Sequence, residues 1–363
     1  MDVKIIKSEK TWMESNAIDQ LNKTAQLEGM IHAVGFPDLH MGKIPVGAAF
    51  ISEDVIYPHI IGNDIGCGMA LFTTGIKKTK FKVDKAMKKL QDVREVNNIN
   101  IDHLLRNVKF EYMNKMGTIG SGNHFGEFQE IDKVYNQEQL ESIGIDKSHI
   151  YLLVHSGSRK YGESILRKYL DAYNCQNGLK VGEPGFEAYM NDHEKAINYG
   201  RLNRVCIAYK LSSAIGCKEN VRVLDSIHNG ISEKVLNGRR IYVHRKGAAQ
   251  ASEQYVVVAG SRGSASYIVK ILKNDFEYGF SIAHGAGRKW SRSGCREKLE
   301  SIYLRKELRD NAFGKNLICN NRNLVYEEAH EAYKDIARVI EDMKEEGLIE
   351  IVATLKPMIT YKG

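Results

Sequence analysis

The stretch HIYLLVHSGSR, residues 149–159, decides the class of fold because a short apolar run ends abruptly at a glycine turn. Consecutive apolar residues bounded by polar, turn-forming ones are typical of a β-strand. Similar runs recur along the chain: VGAAFI (46–51), RIYVHR (240–245), QYVVVAG (254–260), YGFSIAHG (278–285) and LIEIVATL (348–355). The sequence therefore predicts many short strands.

Four segments with helical periodicity are interspersed among these strands. Apolar residues recur at three- and four-residue steps over residues 12–26, 84–93, 186–215 and 327–344. Because the helices and strands do not alternate regularly, the pattern favours a mixed α+β fold over a doubly wound sheet. The chain has no internal repeat, no proline-rich linker and only five prolines. We therefore expect one large domain over residues 1–363.

Composition narrows the functional classes. Of the 363 residues, 43% are hydrophobic and 27% are charged, and no apolar run approaches the length of about 18 residues that spans a membrane. The opening MDVKIIKSEK has no signal-peptide pattern, so we expect a cytoplasmic protein. The formal net charge of +7 favours polyanionic partners, although many basic enzymes do not bind nucleic acid.

The six cysteines are Cys67, Cys175, Cys206, Cys217, Cys295 and Cys319, and they form no CxxC pair. Their low density is unlike that of a secreted disulfide scaffold and fits a reducing compartment. Cys67 differs from the others because it lies in NDIGCGM, among glycines and close to an aspartate. It is the cysteine with the strongest candidate role.

Four histidines stand in glycine-rich, turn-forming sequence and are candidate metal ligands together with Asp64 and Cys67: His124, His155, His228 and His284. Imidazole, thiolate and carboxylate groups suit a borderline ion such as Zn²⁺ or Mn²⁺, and a thiolate can bridge two ions. The alternative is structural: a histidine at a strand end is often simply hydrogen-bonded, Asp64 can cap a turn, and Cys67 can pack in a core.

The segment SIAHGAGRKWSR, residues 281–292, places His284 before a Gly-Ala-Gly turn and three cationic side chains. It is either an ordinary turn or a phosphate site in which the imidazole acts as a nucleophile. Neither GxxxxGK[ST] nor a GxGxxG motif in a strand-helix frame occurs, and HSGSR lacks the GxSxG pattern of a serine hydrolase. The residues alone therefore indicate a metal or phosphate site and no finer function.

Ten short segments in series resemble the RtcB family of RNA ligases: PDLHMGK, GNDIGCGM, GSGNHFGE, HSGSR, IHN, HRKGA, GSRGSASY, HGAGR, AYKD and the terminal KG. They occur in the family's order and extend from residue 37 to residue 363. The resemblance implies an α+β fold in which mixed sheets pack with helices around a central cleft for metal and nucleotide. It also implies an RNA partner.

The resemblance implies a reaction that joins an RNA 3′-phosphate or 2′,3′-cyclic phosphate end to a 5′-hydroxyl end, using GTP and two Mn²⁺ ions. His284 would be the nucleophile that becomes guanylylated. The matched motifs imply five metal ligands: Asp64, Cys67, His124, His155 and His228. They also imply nucleotide contacts at Asn123, Phe125, Glu127, Ser261, Ser266, Gly285, Ala286, Gly287, Tyr333 and Lys362, besides His284. The RNA phosphates would meet Arg159, Arg288 and Arg292.

Departures from the family pattern affect the nucleotide pocket. Ala259-Gly260-Ser261-Arg262 replaces the Pro-Gly-Ser-Met of many members, and His330 replaces a proline. The short chain resembles a branch that is associated with a release-factor homologue and with repair of cleaved ribosomal RNA. The family resemblance implies RNA repair or tRNA splicing as the role. A metal phosphodiesterase that needs no GTP and a noncatalytic RNA-binding protein are the alternative functions.

Overall fold

The computed structural model describes residues 2–217, 220–303 and 316–362, and its strands fall into two large and two small sheets. Gly363 of the terminal Lys-Gly pair lies outside the described residues. In chain order, the strands are β1 Asp2–Ile5, β2 Met30–His40, β3 Val46–Glu53, β4 Val55–Ile56, β5 Gly68–Lys77, β6 Phe125–Val134, β7 His149–Ser156, β8 Leu179–Lys180, β9 Arg222–Ile227, β10 Asn229–Leu236, β11 Arg239–Lys246, β12 Ala248–Gln250, β13 Tyr255–Val258, β14 Ser266–Ile271, β15 Ser281–Ala283, β16 Leu317–Cys319 and β17 Ile349–Lys362.

The helices of the described residues vary from one turn to nearly nine. They are α1 Ser15–Ala25, α2 Pro58–Ile61, α3 Val83–Leu90, α4 Val93–Asn98, α5 Gln137–Ser142, α6 Lys160–Tyr173, α7 Pro184–Ile215, α8 Arg292–Glu300, α9 Arg322–Glu327 and α10 Ile336–Glu345. Short 3₁₀ turns occupy Lys78–Lys80, Asp102–Leu104, Met113–Lys115, Cys175–Asn177, Phe276–Tyr278 and His330–Ala332. Mixed sheets with interspersed helices confirm the predicted α+β class.

Three of the four helix predictions match helices α1, α3 and α7, with shifted ends. Helix α7 begins with Pro184 in its first turn and ends at Gly216, whose φ of 90° only glycine adopts without strain. The prediction over residues 327–344 was wrong in its first half. Tyr333 is extended there, and the side chain of Asp335 caps α10 by accepting from the Ala337 N–H, so the helix starts late.

The two large sheets have the orders β1-β2-β3-β11-β10 and β13-β14-β17-β6-β7-β5-β9, and β16 joins β17 at the side of the second. Strand pairing is antiparallel except for β1 with β2 and β16 with β17. The chain crosses from the second sheet to the first between β9 and β10, and His228 is the residue at that crossing. The sheets therefore meet at a histidine.

Apolar side chains fill the space on both sides of the second sheet. Helix α7 packs Ile207 and Leu211 against a cluster that includes Phe72 and Leu152, all fully buried or nearly so. Burial of this apolar surface is the main force that fixes the strand ends. No helix among the described residues, α7 included, is both long and apolar enough to cross a bilayer.

Candidate metal and nucleotide site

The register of the second sheet brings the predicted metal ligands together. Met69 pairs with His155, and Phe125 also pairs with His155 from the other side. Cys67 lies just before β5 and His124 lies just before β6. Since neighbouring strands are about 5 Å apart, these residues must converge at one edge of the sheet.

The five predicted ligands form one cluster, in which all but the half-buried Asp64 are buried. Cys67 Sγ lies 3.3 Å from His124 Nε2 and 3.2 Å from His155 Nε2. His155 Nε2 lies 3.2 Å from His228 Nε2, and Asp64 Oδ2 lies 2.8 Å from His124 Nε2. One ligand atom from each of Cys67, His124 and His155 lies within 4.8 Å of the others. These distances suit a shared cation.

The orientation of His155 also fits a cation. Its Nδ1 donates to the backbone oxygen of Asn123 at 3.0 Å, which leaves the lone pair of Nε2 facing Cys67 and His228. A donor set of one sulfur, imidazole nitrogens and one carboxylate is the set that borderline divalent ions prefer. The residues present therefore fit a divalent metal.

Burial favours the neutral forms of His155, His228 and the Cys67 thiol. Burial, with the neighbouring His124 and His284, lowers the pKa of His155 well below its usual value. Burial, together with Asp64, raises the pKa of the Cys67 thiol. Asp64 has a lowered pKa even though burial opposes ionisation, because His124 and the Arg159 N–H stabilise the carboxylate. A cation would stabilise the thiolate as well.

His284 lies beside this cluster with its ring orientation fixed. Its ring centroid is 4.7 Å from that of His228, and its Nδ1 donates to Asp38 Oδ2 at 2.6 Å. Asp38 is fully buried in β2. Because Nδ1 is the donor, Nε2 carries the free lone pair, as a nucleophilic imidazole requires.

The Gly-Ala-Gly turn after His284 approaches Asp38 closely. Gly287 has a φ of 70°, and a Cβ at this position would lie 2.3 Å from the backbone oxygen of Asp38. Only glycine fits that approach without displacing β2. The turn residues Gly285, Ala286 and Gly287 all line the cleft.

Glu127 and Lys362 lie together because the last strand pairs with β6. Thr360 pairs with Glu127, and its hydroxyl donates to the Glu127 carboxylate, which also accepts from Gln129 Nε2 at 2.6 Å. Lys362 Nζ donates to the backbone oxygens of Gly122 at 3.2 Å and His124 at 3.4 Å. Burial raises the pKa of Glu127.

Glu328 is a residue that the sequence did not single out. Its carboxylate accepts from the Tyr333 hydroxyl at 2.5 Å, from Arg288 Nη1 at 3.2 Å and from Lys362 Nζ at 3.4 Å. Arg292 Nε lies 3.7 Å away. Although burial opposes ionisation, these cations and the tyrosine lower the pKa of Glu328. Glu328 therefore holds the cationic side chains at the cleft wall.

These groups border one cavity of about 870 Å³. Among the described residues, most of the predicted site lines it: Asp64, Cys67, Asn123, Phe125, Glu127, His155, His228, Ser261, His284, Gly285, Ala286, Gly287, Arg288, Arg292, Tyr333 and Lys362. Lys246 lines it as well and is half-buried, with Nζ donating to the Ile61 oxygen at 3.0 Å. Lys246 lies in the motif HRKGA and Asp38 in PDLHMGK, but the sequence did not predict a site role for either residue.

His124, Ser266 and Arg159 are not among the cavity-lining residues in the described part of the chain. His124 is nevertheless part of the ligand cluster. The Ser266 hydroxyl is hydrogen-bonded inside the protein: it accepts from the Gly260 N–H at 3.2 Å and from Gln129 Nε2 at 3.4 Å. The Arg159 guanidinium binds the Thr118 backbone oxygen at 2.7 Å.

Fold and cleft together define the class: an α+β protein whose two large sheets meet at a buried thiol, imidazole and carboxylate cluster suited to divalent cations. The family described as tRNA-splicing ligase RtcB matches residues 20–97 and 78–363. The chain therefore belongs to the RtcB family, which confirms the resemblance seen in the sequence.

Three relatives show how far the similarity extends. RNA-splicing ligase RtcB2 of Escherichia coli is 39% identical over 362 residues, which cover 99% of this chain and 95% of that protein. The tRNA-splicing ligases RtcB of Thermococcus kodakarensis and Nanoarchaeum equitans are 27% identical over 444 residues and 26% identical over 448 residues. These alignments cover 96% and 99% of this chain, and 92% of each relative.

Proposed function

We propose that the protein is an RNA ligase that joins 3′-phosphate or 2′,3′-cyclic phosphate ends to 5′-hydroxyl ends, using GTP. The relatives named as RNA- or tRNA-splicing ligases support the RNA substrate. We also propose that residues 1–363 act as one catalytic domain in the cytoplasm.

The observation that carries this proposal is the position of His284. Its Nδ1 is bound to buried Asp38 at 2.6 Å, and its ring lies next to His228 of the ligand cluster. The free Nε2 would attack the α-phosphorus of GTP, forming an N–P bond while pyrophosphate leaves. As His284 becomes cationic in the attack, Asp38 would stabilise the charge.

The later steps transfer the guanylate to RNA. An RNA 3′-phosphate oxygen would attack the same phosphorus, displace His284 and form a diphosphate. The 5′-hydroxyl oxygen would then attack the RNA phosphorus, and GMP would leave as the phosphodiester forms. A cyclic phosphate would first be opened by hydrolysis.

Asp64, Cys67, His124, His155 and His228 would hold two Mn²⁺ ions. Bound there, the metal would supply Lewis-acid stabilisation of charge on the phosphate oxygens. Cys67 is the best placed of the five to be shared, since it lies within 3.3 Å of two imidazole nitrogens.

Glu127 would select guanine by accepting its N–H donors, and Lys362 would bind beside it. Asn123, Phe125, Ser261 and Tyr333 border the same cavity, and the glycine turn after His284 would approach the phosphates. Ser266 would affect the nucleotide indirectly, by holding the Gly260 N–H, because its hydroxyl is hydrogen-bonded inside the protein.

Arg292 is the best candidate for an RNA phosphate because its side chain lines the cleft and remains 46% exposed. Arg288 would have fewer donors left for RNA, because its Nη1 already donates to Glu328. Arg159 would act near Asp64, to which its N–H donates at 2.6 Å. For the biological role we propose RNA repair, with cleaved ribosomal RNA as the substrate and a functional link to a release-factor homologue, or else tRNA splicing, the process for which two of the relatives are named.

The direct test is to incubate the protein with Mn²⁺ and α-labelled GTP without RNA, then denature it and look for acid-labile label. We expect label on the wild type and none on His284→Ala. If folded, Mn²⁺-loaded wild type remained unlabelled yet cleaved cyclic phosphates, the protein would be a metal phosphodiesterase instead. If it bound RNA without either activity, it would be a binding protein.

A further inference from the structure

Arg262 carries a buried guanidinium without a partner among residues 2–217, 220–303 and 316–362. The residue is only 8% exposed, and its Nε and Nη1 atoms are buried and make no hydrogen bond to the described residues. Arginine is charged at all physiological pH values, so burying it unpaired is costly. Such a group is retained where a ligand completes its hydrogen bonds.

A tight turn aims Arg262 at the cleft. The Ser264 N–H donates to the Ser261 oxygen at 2.9 Å, which places Arg262 and Gly263 at the two central positions of a β-turn. Gly263 has a φ of 83°, the left-handed conformation that a type II turn requires after its first central residue. Arg262 and Ser261 both line the cavity.

The surroundings of Arg262 are those proposed for the nucleobase. Hydrogen bonds join the segment just before Arg262 to Glu127: the Gly260 N–H donates to Ser266 Oγ at 3.2 Å, and Gln129 Nε2 donates both to that oxygen at 3.4 Å and to Glu127 at 2.6 Å. Arg262 and Ser261 line the same cavity as Glu127 and Lys362. Arg262 therefore belongs to the guanine end of the cavity.

We propose that Arg262 reads the N7 and O6 edge of the guanine base, opposite the edge that Glu127 reads. This inference rests on the proposed function. The Nε–H and Nη2–H donors lie parallel on one edge of the guanidinium and would match the adjacent O6 and N7 acceptors of guanine. Adenine presents an amino group in place of O6, so one donor would face another donor. Arg262 is thus a specificity-determining residue, and one that the methionine of many family members cannot replace.

The test uses ligands that each lack one group. In 7-deaza-GTP a C–H replaces N7, so this ligand loses a contact to Arg262 but none to Glu127. In ITP the 2-amino group is absent, so this ligand loses a contact to Glu127 but none to Arg262. Affinities are measured by equilibrium competition against labelled GTP in EDTA, with the full chain and with Arg262→Met and Glu127→Gln.

We expect the wild type to bind 7-deaza-GTP roughly 10-fold more weakly than GTP, a typical loss for half of a bidentate base contact. Arg262→Met should bind GTP at least roughly 10-fold more weakly and should not distinguish it from 7-deaza-GTP. Glu127→Gln should keep the 7-deaza penalty and lose the preference for GTP over ITP. The ligand comparison on the unmodified protein does not depend on how a variant folds.

Equal binding of GTP and 7-deaza-GTP by a wild type that His284 labelling shows to be functional would overturn the role of Arg262 alone. The same holds if Arg262→Met changes only the RNA concentration that half-saturates ligation, which would make Arg262 a phosphate contact. A wild type that neither binds GTP nor becomes labelled would end both the proposed function and this inference.

Discussion

His284 Nδ1 and Asp38 Oδ2 lie 2.6 Å apart, although 246 residues separate them in the chain. Asp38 is fully buried and also accepts from the His284 N–H at 3.3 Å. The carboxylate thus fixes the position of the imidazole and determines that Nδ1 is the nitrogen that carries the proton. Nε2 is consequently the nitrogen available for chemistry.

Asp38→Asn should therefore slow guanylate transfer to His284 by about 100-fold or more, because an uncharged amide no longer stabilises the imidazolium or selects its tautomer. The rate of labelling by α-labelled GTP measures the effect. The chain offers a matched control in Asp146, which accepts from His149 at 3.0 Å on the surface. Asp146→Asn should label at the wild-type rate; equal slowing in both variants would refute the role of Asp38.

Removing the thiol should weaken metal binding. We expect Cys67→Ser to bind Mn²⁺ at least about 10-fold more weakly, because the metal would lose the thiolate ligand that lies next to two imidazole nitrogens. The wild type should melt at a higher temperature in Mn²⁺ than in EDTA, and this difference should be smaller for the variant. Cys217→Ser, outside the cluster and half-buried, should respond like the wild type.

Glu328 should stabilise the fold through buried cations. Glu328→Gln should lower the free energy of unfolding by about 3 kcal/mol, because Lys362, which is 3% exposed, loses its counterion. In a double-mutant cycle with Lys362→Met, measured by urea unfolding, the combined loss should be smaller than the sum. The exposed pair of Arg296 and Glu300 is the comparison, and Glu300→Gln should cost less than about 1 kcal/mol.

Gly287 and Gly75 both have positive φ, but only Gly287 lies against backbone. Gly287→Ala should lose most guanylylation, since its Cβ would displace the chain at Asp38. Gly75→Ala, with open space around its Cβ, should cost only about 1 kcal/mol of backbone strain and keep full labelling. Equal labelling of both variants would show that the close approach at Gly287 is dispensable.

The fold should lose stability in acid because His193 is buried in the neutral form. Its Nε2 accepts from the Ile231 N–H at 2.9 Å, and burial lowers its pKa to about 4. Because the pKa is lower in the folded state, the unfolded chain binds the proton first as the pH falls. The contribution of His193 to the free energy of unfolding is therefore fully present above the unfolded pKa, about 6.5, and declines as the pH falls toward 4.

Between pH 8 and pH 5.5 this one histidine should cost about 1.4 kcal/mol of unfolding free energy. His193→Gln keeps an acceptor for Ile231 but does not titrate, so its urea-unfolding curves should shift less between the two pH values. His149→Gln, on the surface, should shift as much as the wild type. A His193→Gln shift equal to that of the wild type would contradict the assignment.

Local sequence predicted six of the strands (β3, β7, β11, β13, β15 and β17), three helices and the ligand types, because these depend on residues that are close in the chain. Apolar runs ended by histidine and glycine indicated where strands stop, and the α+β class followed from their order. Local sequence did not predict the late start of α10. That start depends on the extended backbone of Tyr333 and on Asp335, whose side chain caps the helix.

The partners of those residues were decided by tertiary structure alone. Asp38 lies in β2 and reaches His284, which follows β15, although these two strands do not pair. Glu328, at the end of α9, reaches Lys362 in β17. Arg262 shows the same limit: no sequence pattern indicated that its Nε and Nη1 would find no hydrogen-bond partner in the part of the chain that the structure describes. Hydrophobic burial selects that arrangement globally, so no local pattern encodes which polar groups it will bring together.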